Sequence, residues 1–464
     1  MALSCAALAV LSLAAAQAGG AQGNPQGGPL GNGKVPAQTE GGPPQEDMVT
    51  PPPSMNVRIP GTRASPADTT TAGLDLALST QLLSQTLAAT GSATQIQLGL
   101  QVSPTVAVGL LFPRFGLAVG YNPQLYLVTV SQGPLDVLHR GWLMMEYHAA
   151  ATWRLYFAER LTYGTNNLST PVLNNGGSAG QQPPTLNPVK LATVDYVYNE
   201  TSLGVSSRLS RPLRFTFVAA YLNSGGLGTA SQVVMPYQWG PRVEATLDWK
   251  ASSTSTLASA FAAQANIFPV LYTTDASGNP VAGPGRQIYL TQVAETWRTA
   301  LTRHTSAWLI GGLSVANTDS TTALSYKRLA PILGAGLESG TNSRQPLVIF
   351  LQLLLTPYVD PYLAVEYQRL TANANLTWKP AAPWTLGVAA TAAYVPYRYQ
   401  ATVSELAVSK YGTAGPTIAF FPFRALTLSA GAYWQWQLAS QTAAASFNQW
   451  GAYFTVTVAD FEHI

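Results

Sequence analysis

The sequence predicts an all-β chain closed into a single transmembrane antiparallel up-and-down β-barrel of about eighteen strands, and three observations carry that prediction. Charged residues make up only 10% of the chain although hydrophobic residues are 47%, against roughly 25% charge in an ordinary soluble domain. From about Ala72 onward, short segments alternate between apolar and more polar side chains. Along the same stretch, tight turns alternate with longer connections. No run approaches the ~20 apolar residues of a spanning helix; Leu347 to Val359 comes nearest but contains Gln352 and Pro357. In lipid every backbone N–H and C=O needs a partner within the protein, so strands cross a membrane only as a closed barrel.

The first element is an apolar run of small residues and leucines, Ala2 to Ala18, ending in Ala16-Gln17-Ala18 before Gly19. Residues 1–18 therefore read as a secretory signal with an A-x-A cleavage site, although no Lys or Arg precedes Lys34 to supply a basic n-region. The one cysteine, Cys5, falls inside this segment. A chain cleaved behind it has no disulfide and no thiolate chemistry. Residues 19–71 are dominated by Gly, Pro, Gln and Ser, with Pro51-Pro52-Pro53 in the middle. Such a segment buries too little apolar area to offset its ordering entropy. It reads as a disordered periplasmic leader, or as a tether for a periplasmic partner.

Residues 72–464 carry the strand pattern. Leu213, Phe215, Phe217, Ala219 and Tyr221 alternate with Arg214, Thr216, Val218 and Ala220; Val243, Ala245, Leu247 and Trp249 alternate with Arg242, Glu244, Thr246, Asp248 and Lys250. Leu426 to Gln437 and Gln449 to Val458 repeat the pattern near the end. Successive strand side chains point to opposite faces, and the second face here is small and neutral more often than charged, which suits a hydrated lumen. Short turns fall at Pro113-Arg114, Ala150-Ala151, Arg211-Pro212, Ser252-Ser253, His304, Asn342-Ser343, Pro380 to Pro383 and Pro422-Phe423. Longer connections fall near 83–94, 131–136, 166–188, 226–237, 268–286, 318–326, 360–361, 397–403 and 439–446. Eight turns and nine loops delimit eighteen strands; with boundaries good to about ±2–4 residues, sixteen to twenty strands fit. An even count puts both termini on one side, in agreement with a periplasmic leader. The tryptophans stand close to the expected strand ends, where half-buried rings favour the membrane interface.

On these alternating strands, the short-turn and long-loop layout and the aromatic closing strand Gln449–Phe461, the stretch from Ala72 to Phe461 resembles bacterial outer-membrane β-barrel porins. The resemblance implies a bacterial outer-membrane location, contact with outer-membrane lipid, delivery by the barrel-insertion machinery, and a porin-like channel for passive passage of a solute or polymer. Barrels of this kind typically end on a terminal aromatic, whereas this chain runs on as Phe461-Glu462-His463-Ile464. Eighteen strands behind a Pro-rich leader also resemble the barrels that accompany polysaccharide export, which implies polysaccharide secretion with periplasmic export proteins as partners. The alternative is a non-transport barrel, either an outer-membrane enzyme or a surface structural protein. A TonB-dependent transporter is not expected, because nothing ahead of Ala72 has the composition of a plug domain.

Within the barrel the chemistry-bearing residues are sparse. The net charge of +3, without a Lys/Arg block, leaves no nucleic-acid face. Glu146 and His148 share one strand face and have base-and-orienter spacing, but the reading is lumen packing and no catalytic residue is assigned. No His/Asp/Glu cluster has metal-ligand spacing, and no glycine-rich stretch fits a phosphate loop; no cofactor is expected. The pore-lining candidates are Arg242, Glu244, Asp248 and Lys250 on one strand face, Arg214 on the preceding strand, and Arg154 elsewhere in the wall. These charges either pair and keep the wall polar, or form a ladder that sets solute preference. Tyr433, Gln435 and Gln437 either offer stacking and hydrogen bonds to a sugar chain, or fill the wall.

Overall fold

The computed structural model describes residues 12–13, 71–87, 95–128, 136–167, 193–320, 326–340, 346–361, 364–381, 383–395, 408–423, 426–439 and 447–463. The expected signal segment apart from Ser12–Leu13, and the expected leader up to residue 70, lie outside the described residues. The wall strands are β1 (Thr71–Leu87), β2 (Gln95–Leu111), β3 (Phe115–Tyr121 continued as Gln124–Val128), β4 (Asp136–Ala150), β5 (Trp153–Asn167) and β6 (Thr193–Arg208). They continue as β7 (Leu213–Gly226), β8 (Gln238–Trp249), β9 (Ser255–Thr274), β10 (Pro280–Ala300), β11 (Thr305–Ser320) and β12 (Tyr326–Ser339). The last six are β13 (Leu347–Asp360), β14 (Val365–Trp378), β15 (Trp384–Tyr394), β16 (Val408–Phe423), β17 (Leu426–Ala439) and β18 (Phe447–His463). Each wall strand pairs antiparallel with its sequence neighbours, and β1 pairs with β18 from Gly73↔His463 to Gln85↔Gly451. The result is a closed barrel of eighteen strands, as the connection pattern predicts. Ser12–Leu13 runs parallel beside Gly120 and Tyr121 and is not part of the wall.

Alternation sorts the two faces. One carries exposed apolar side chains, among them Leu78, Leu98, Leu203, Leu313, Leu329, Leu353, Val388 and Phe454. In a closed barrel this face meets lipid. Trp153, Trp249, Trp297, Trp378 and Trp384 project from the same face at the short-turn end and are all exposed. Five indoles at one level form an interfacial girdle, the position where an amphipathic ring is half buried. The other face holds the buried polar side chains, including Ser79, Gln81, Asn266, Gln292 and Thr391. Leu354, Ile332, Ile310 and Ala294 interrupt it with a small apolar cluster backed by Trp308.

The structure differs from the sequence expectation in three places. The connection near 226–237 contains a short helix, α1 (Gly228–Val234), whose following Met235 packs with Leu138, Val194, Tyr196 and Tyr198 on the lumen side of the long-loop rim. Most of 268–286 is strand, because Val270, Tyr272 and Val281 are β-formers and the turn needs only Asp275 to Asn279. There Asp275 accepts the backbone N–H groups of Ser277 and Asn279 at 2.9 and 2.8 Å, and Gly278 takes φ +83°. Those N–H groups, that of Asn279 first, hold the Asp275 carboxyl below the ordinary carboxylate range. Finally, β3 breaks at Asn122-Pro123, where Pro123 has no N–H to donate, and Asn122 bonds Thr105 Oγ1 at 2.7 Å.

Candidate functional site: a lumen with two unlike arcs and a folded-in hairpin

The lumen face of β4 to β8 is the charged arc. His148 Nε2 lies 2.9 Å from Glu146 Oε1, and Arg154 Nη1 lies 3.5 Å from the same oxygen. Arg160 pairs with Glu200 at 3.8 Å, and the Tyr198 hydroxyl also donates to Glu200. Arg242 Nε donates to Glu244 Oε1 at 2.6 Å. Asp248 stands directly opposite Arg214 in the β7–β8 register. Lys250 lies just past the end of β8, exposed in the short turn, with its N–H on the Pro212 carbonyl. Further round, Arg298 meets Glu338 at 2.6 Å. Most of these cations stand beside a carboxylate, although Arg208 and Arg214 lie opposite each other in the β6–β7 register. The sequence reading sets Arg242, Glu244, Asp248 and Lys250 on one strand face, with Arg214 on the preceding strand and Arg154 elsewhere in the wall. Lys250 instead lies beyond the strand end, and Arg160, Glu200, Arg298 and Glu338, whose partners come from other strands, are not among the sequence candidates.

Glu146 Oε1 is shared between the His148 imidazole and the Arg154 guanidinium. Among the described residues no three His, Cys, Asp or Glu side chains come together to hold a metal ion.

The second arc runs through β15 to β18 and on to β1 and β2. Its described inward side chains carry no charge; they are amides, hydroxyls and small residues, such as Thr391, Gln435, Gln437, Thr455, Gln81 and Ser103. Thr457 Oγ1 donates to Ser79 Oγ at 3.3 Å and Gln101 Nε2 to Ser103 Oγ at 3.2 Å. Tyr433 lies flat against Gly451, where an added Cβ would come within 2.2 Å of its ring. Tyr453 covers Gly431 in the same manner. Glycine lets the rings lie against the wall instead of standing across the lumen, and Tyr433 is only 4% exposed. Its packing role is therefore visible; an open stacking surface is not.

The third feature is the outer part of the β13–β14 hairpin. The β12–β13 register runs from Ser339↔Ile349 to Leu333↔Leu355 and stops. The β14–β15 register likewise ends at Leu370↔Tyr394. Beyond these points the hairpin pairs with itself, from Thr356↔Arg369 to Asp360↔Val365. Continued, the β12–β13 register would set Pro331 opposite Pro357, two residues with no N–H for a ladder. The hairpin leaves the wall there and turns inward. Its Val359 and Ala364 pack with Phe268 and Ile288 from the lumen face of β9 and β10. Gln368 Nε2 donates to the Pro331 carbonyl at 2.7 Å, Arg286 Nη1 to the Ala364 carbonyl at 2.7 Å, and Arg328 Nη1 reaches Glu366 Oε2 at 3.4 Å. Within the hairpin, the Tyr367 hydroxyl donates to Asp360 at 3.0 Å, and the Arg369 guanidinium sits 3.9 Å over the Tyr358 ring. Tyr358, Val365 and Tyr367 also pack against Val395. The sequence marked only 360–361 as a connection. The available signal was charge density: Asp360, Glu366 and Arg369 crowd one hairpin of a charge-poor chain.

Solved structures with a similar outline include the ferric citrate transporter FecA (10% identity over 86% of this chain and 80% of that chain, TM-score 0.43). The outer-membrane protein OprD from Pseudomonas aeruginosa is 10% identical over 84% of this chain and 94% of that one, TM-score 0.44. OpdK from Pseudomonas aeruginosa, solved with vanillate, is 9% identical over 84% and 99%, TM-score 0.44. At such identities and scores these likenesses carry no argument. No curated protein matches the chain. The protein is a barrel of the bacterial outer membrane with a channel-like fold. The model of one family matches residues 67–397, most of the wall and the whole inward hairpin, and the chain accordingly belongs to the EpsX exopolysaccharide export family.

Proposed function

We propose that the protein is the outer-membrane channel of an exopolysaccharide export route, and that it passes an uncharged or weakly charged polymer passively, without catalysis. The observation that carries this reading is the pairing of lumen charges beside an uncharged arc. Rings of unbalanced charge select ions by sign; here Arg154, Arg160, Arg242, Arg298 and Arg328 each stand next to a carboxylate. A polymer bearing many equivalent hydroxyls can exchange contacts along a wall of amides and hydroxyls without being held at any one of them. Arg214 and Asp248 complete the charged side, and Gln435 and Gln437 belong to the neutral one. Lys250 marks the entrance at the short-turn end, which this reading orients to the periplasm. Eighteen strands enclose an aqueous lumen by the usual relation of strand number to diameter. The leader, residues 19–71, is proposed to meet periplasmic export proteins.

Two measurements test this. Full-length protein in a planar bilayer should conduct, with weak preference between cation and anion. A gene deletion should abolish surface or secreted polysaccharide, and the wild-type gene should restore it. Unchanged polysaccharide together with a silent bilayer would favour the non-transport alternative.

A further inference from the structure

We propose that the hairpin from Thr356 to Leu370 is a two-position lid over the long-loop mouth of the pore, seen here in its closed position. The proposal rests on the channel reading above. Three features of the hairpin support it.

The first is a defined hinge. Both flanking ladders end at one level, at Leu333↔Leu355 on one side and Leu370↔Tyr394 on the other. Beyond that level the hairpin is joined to its neighbours by side-chain contacts in place of backbone ladders. The opposed prolines, Pro331 and Pro357, make that break a property of the sequence.

The second is the contrast between contacts within the hairpin and contacts from it to the wall. Inside it are a five-rung ladder, the Tyr367–Asp360 hydrogen bond, the Tyr358–Tyr367 ring contact at 5.3 Å, and Arg369 over Tyr358. These hold it together as it moves. Its latch to the wall is made through side chains, without a ladder: Arg328–Glu366, Gln368 on the Pro331 carbonyl, Arg286 on the Ala364 carbonyl, the seat of Val359 and Ala364 on Phe268 and Ile288, the packing of Tyr358, Val365 and Tyr367 on Val395, and the contact of Tyr411 with Tyr367 and Arg369. The tip's own latch residues, Phe268, Arg286 and Ile288, come from β9 and β10, so closure carries the tip past two strands.

The third is an alternative position with a partner ready. Raised in line with the wall, the hairpin continues the β12–β13 register past the prolines and brings Asp360 opposite Arg328. Both residues have the same parity as the lumen-facing residues of their strands, so Arg328 exchanges Glu366 for Asp360. Each position keeps the Arg328 guanidinium beside a carboxylate, so its charge is not isolated in either one. An element with two packed arrangements of this kind is what a gate requires.

The test uses full-length protein carrying Ile288→Cys and Ala364→Cys, which face each other in one apolar cluster. Under oxidation, with the cross-link verified by gel shift, bilayer conductance should fall severalfold and polysaccharide export in cells should stop; a reductant should reverse both. If the pair does not oxidise, a short bismaleimide serves as the cross-linker. Two further variants open the lid: Glu366→Gln, which weakens the latch, and replacement of 358–367 by a Gly-Ser turn. Both should conduct severalfold better than the parent. A verified cross-link that leaves conductance and export at the reduced level, or open-lid variants that conduct like the parent, would overturn the lid. Silence of every variant, including the one without a hairpin, would overturn the channel reading itself.

Discussion

Gly336 and Gly311 occupy neighbouring strands, yet alanine should have opposite effects at the two positions. At Gly336 the new Cβ would lie 2.2 Å from Trp308 Cζ2 and 2.3 Å from Cε2. Trp308 has no easy retreat, because it packs against Ala294, Ile310, Ile332 and Leu354. Overpacking of a filled site costs about 1–3 kcal/mol, and a ring pinned by this cluster points to the upper part, about 2–3 kcal/mol. At Gly311 nothing lies within 4 Å of an added Cβ. Alanine there removes only unfolded-chain freedom and should stabilise by about 0.4–1 kcal/mol. The assay is urea titration of protein refolded in lipid vesicles, followed by tryptophan fluorescence and by heat-modifiable gel mobility. Equal shifts for Gly336→Ala and Gly311→Ala, or a Gly336→Ala midpoint at or above the parent's, would refute the account of Trp308 packing.

Three further outcomes follow from the same geometry. Glu159 stands between Phe157 and Leu161 on the lipid face, with the Thr201 hydroxyl donating to it at 2.8 Å. Glu159→Leu should raise vesicle stability by about 1 kcal/mol after allowing for the lost hydrogen bond, and a loss of stability would show that the carboxylate meets protein instead of lipid. Glu244→Gln leaves the Arg242 charge without its carboxylate, so the reversal potential in a salt gradient should move toward anion preference and return in the Arg242→Ala/Glu244→Gln double variant. An unmoved potential would place the pair outside the permeation path. Asp275 has its carboxyl depressed by backbone N–H groups, so its contribution to the turn is present above the ordinary carboxylate pKa. That contribution is lost as pH falls through the depressed folded value. Amide exchange at Ser277 and Asn279 should accelerate only in that acid range, and Asp275→Ala should exchange fast throughout; exchange that tracks the ordinary carboxylate pKa would contradict the hydrogen bonding.

The wall was legible because two local signals coincide. Period-two alternation, as in Leu213 to Tyr221, marks a strand, and Gly, Pro, Asn or Ser punctuation marks its ends. All seventeen connections correspond to strand boundaries. Alternation also assigned Arg242, Glu244, Asp248 and Lys250 to a common face, and of these Lys250 falls past the strand end at Trp249. Pairings between strands were not legible: Arg160 with Glu200 depends on register, which single-strand periodicity does not contain. The hairpin failed as a reading for a related reason. The described residues between Val359 and Gln368 are buried on both faces, so no polar face signals their direction, and the opposition of Pro331 to Pro357 emerges only once the strands are aligned. The helix Gly228–Val234 has no side-chain cap and no charged residue in its first or last turn, so it carried none of the usual helix punctuation. Gly278-Asn279-Pro280 overstated its loop, because strong turn chemistry occupied a short stretch between two long strands.

The β1–β18 seam governs the order of assembly. The Thr457–Ser79 hydrogen bond across it joins residues 378 positions apart. Until β18 arrives, β1 presents an edge of backbone N–H and C=O groups that lipid cannot satisfy, and such groups cost several kcal/mol each. Insertion strand by strand from the N-terminus would therefore be costly at every intermediate stage. The first strand has to be sheltered, by the insertion machinery or by provisional pairing, until the last one is delivered. Loss of β18 would then be felt before membrane entry, as a failure of the whole barrel to close, and not as a local defect in a finished wall.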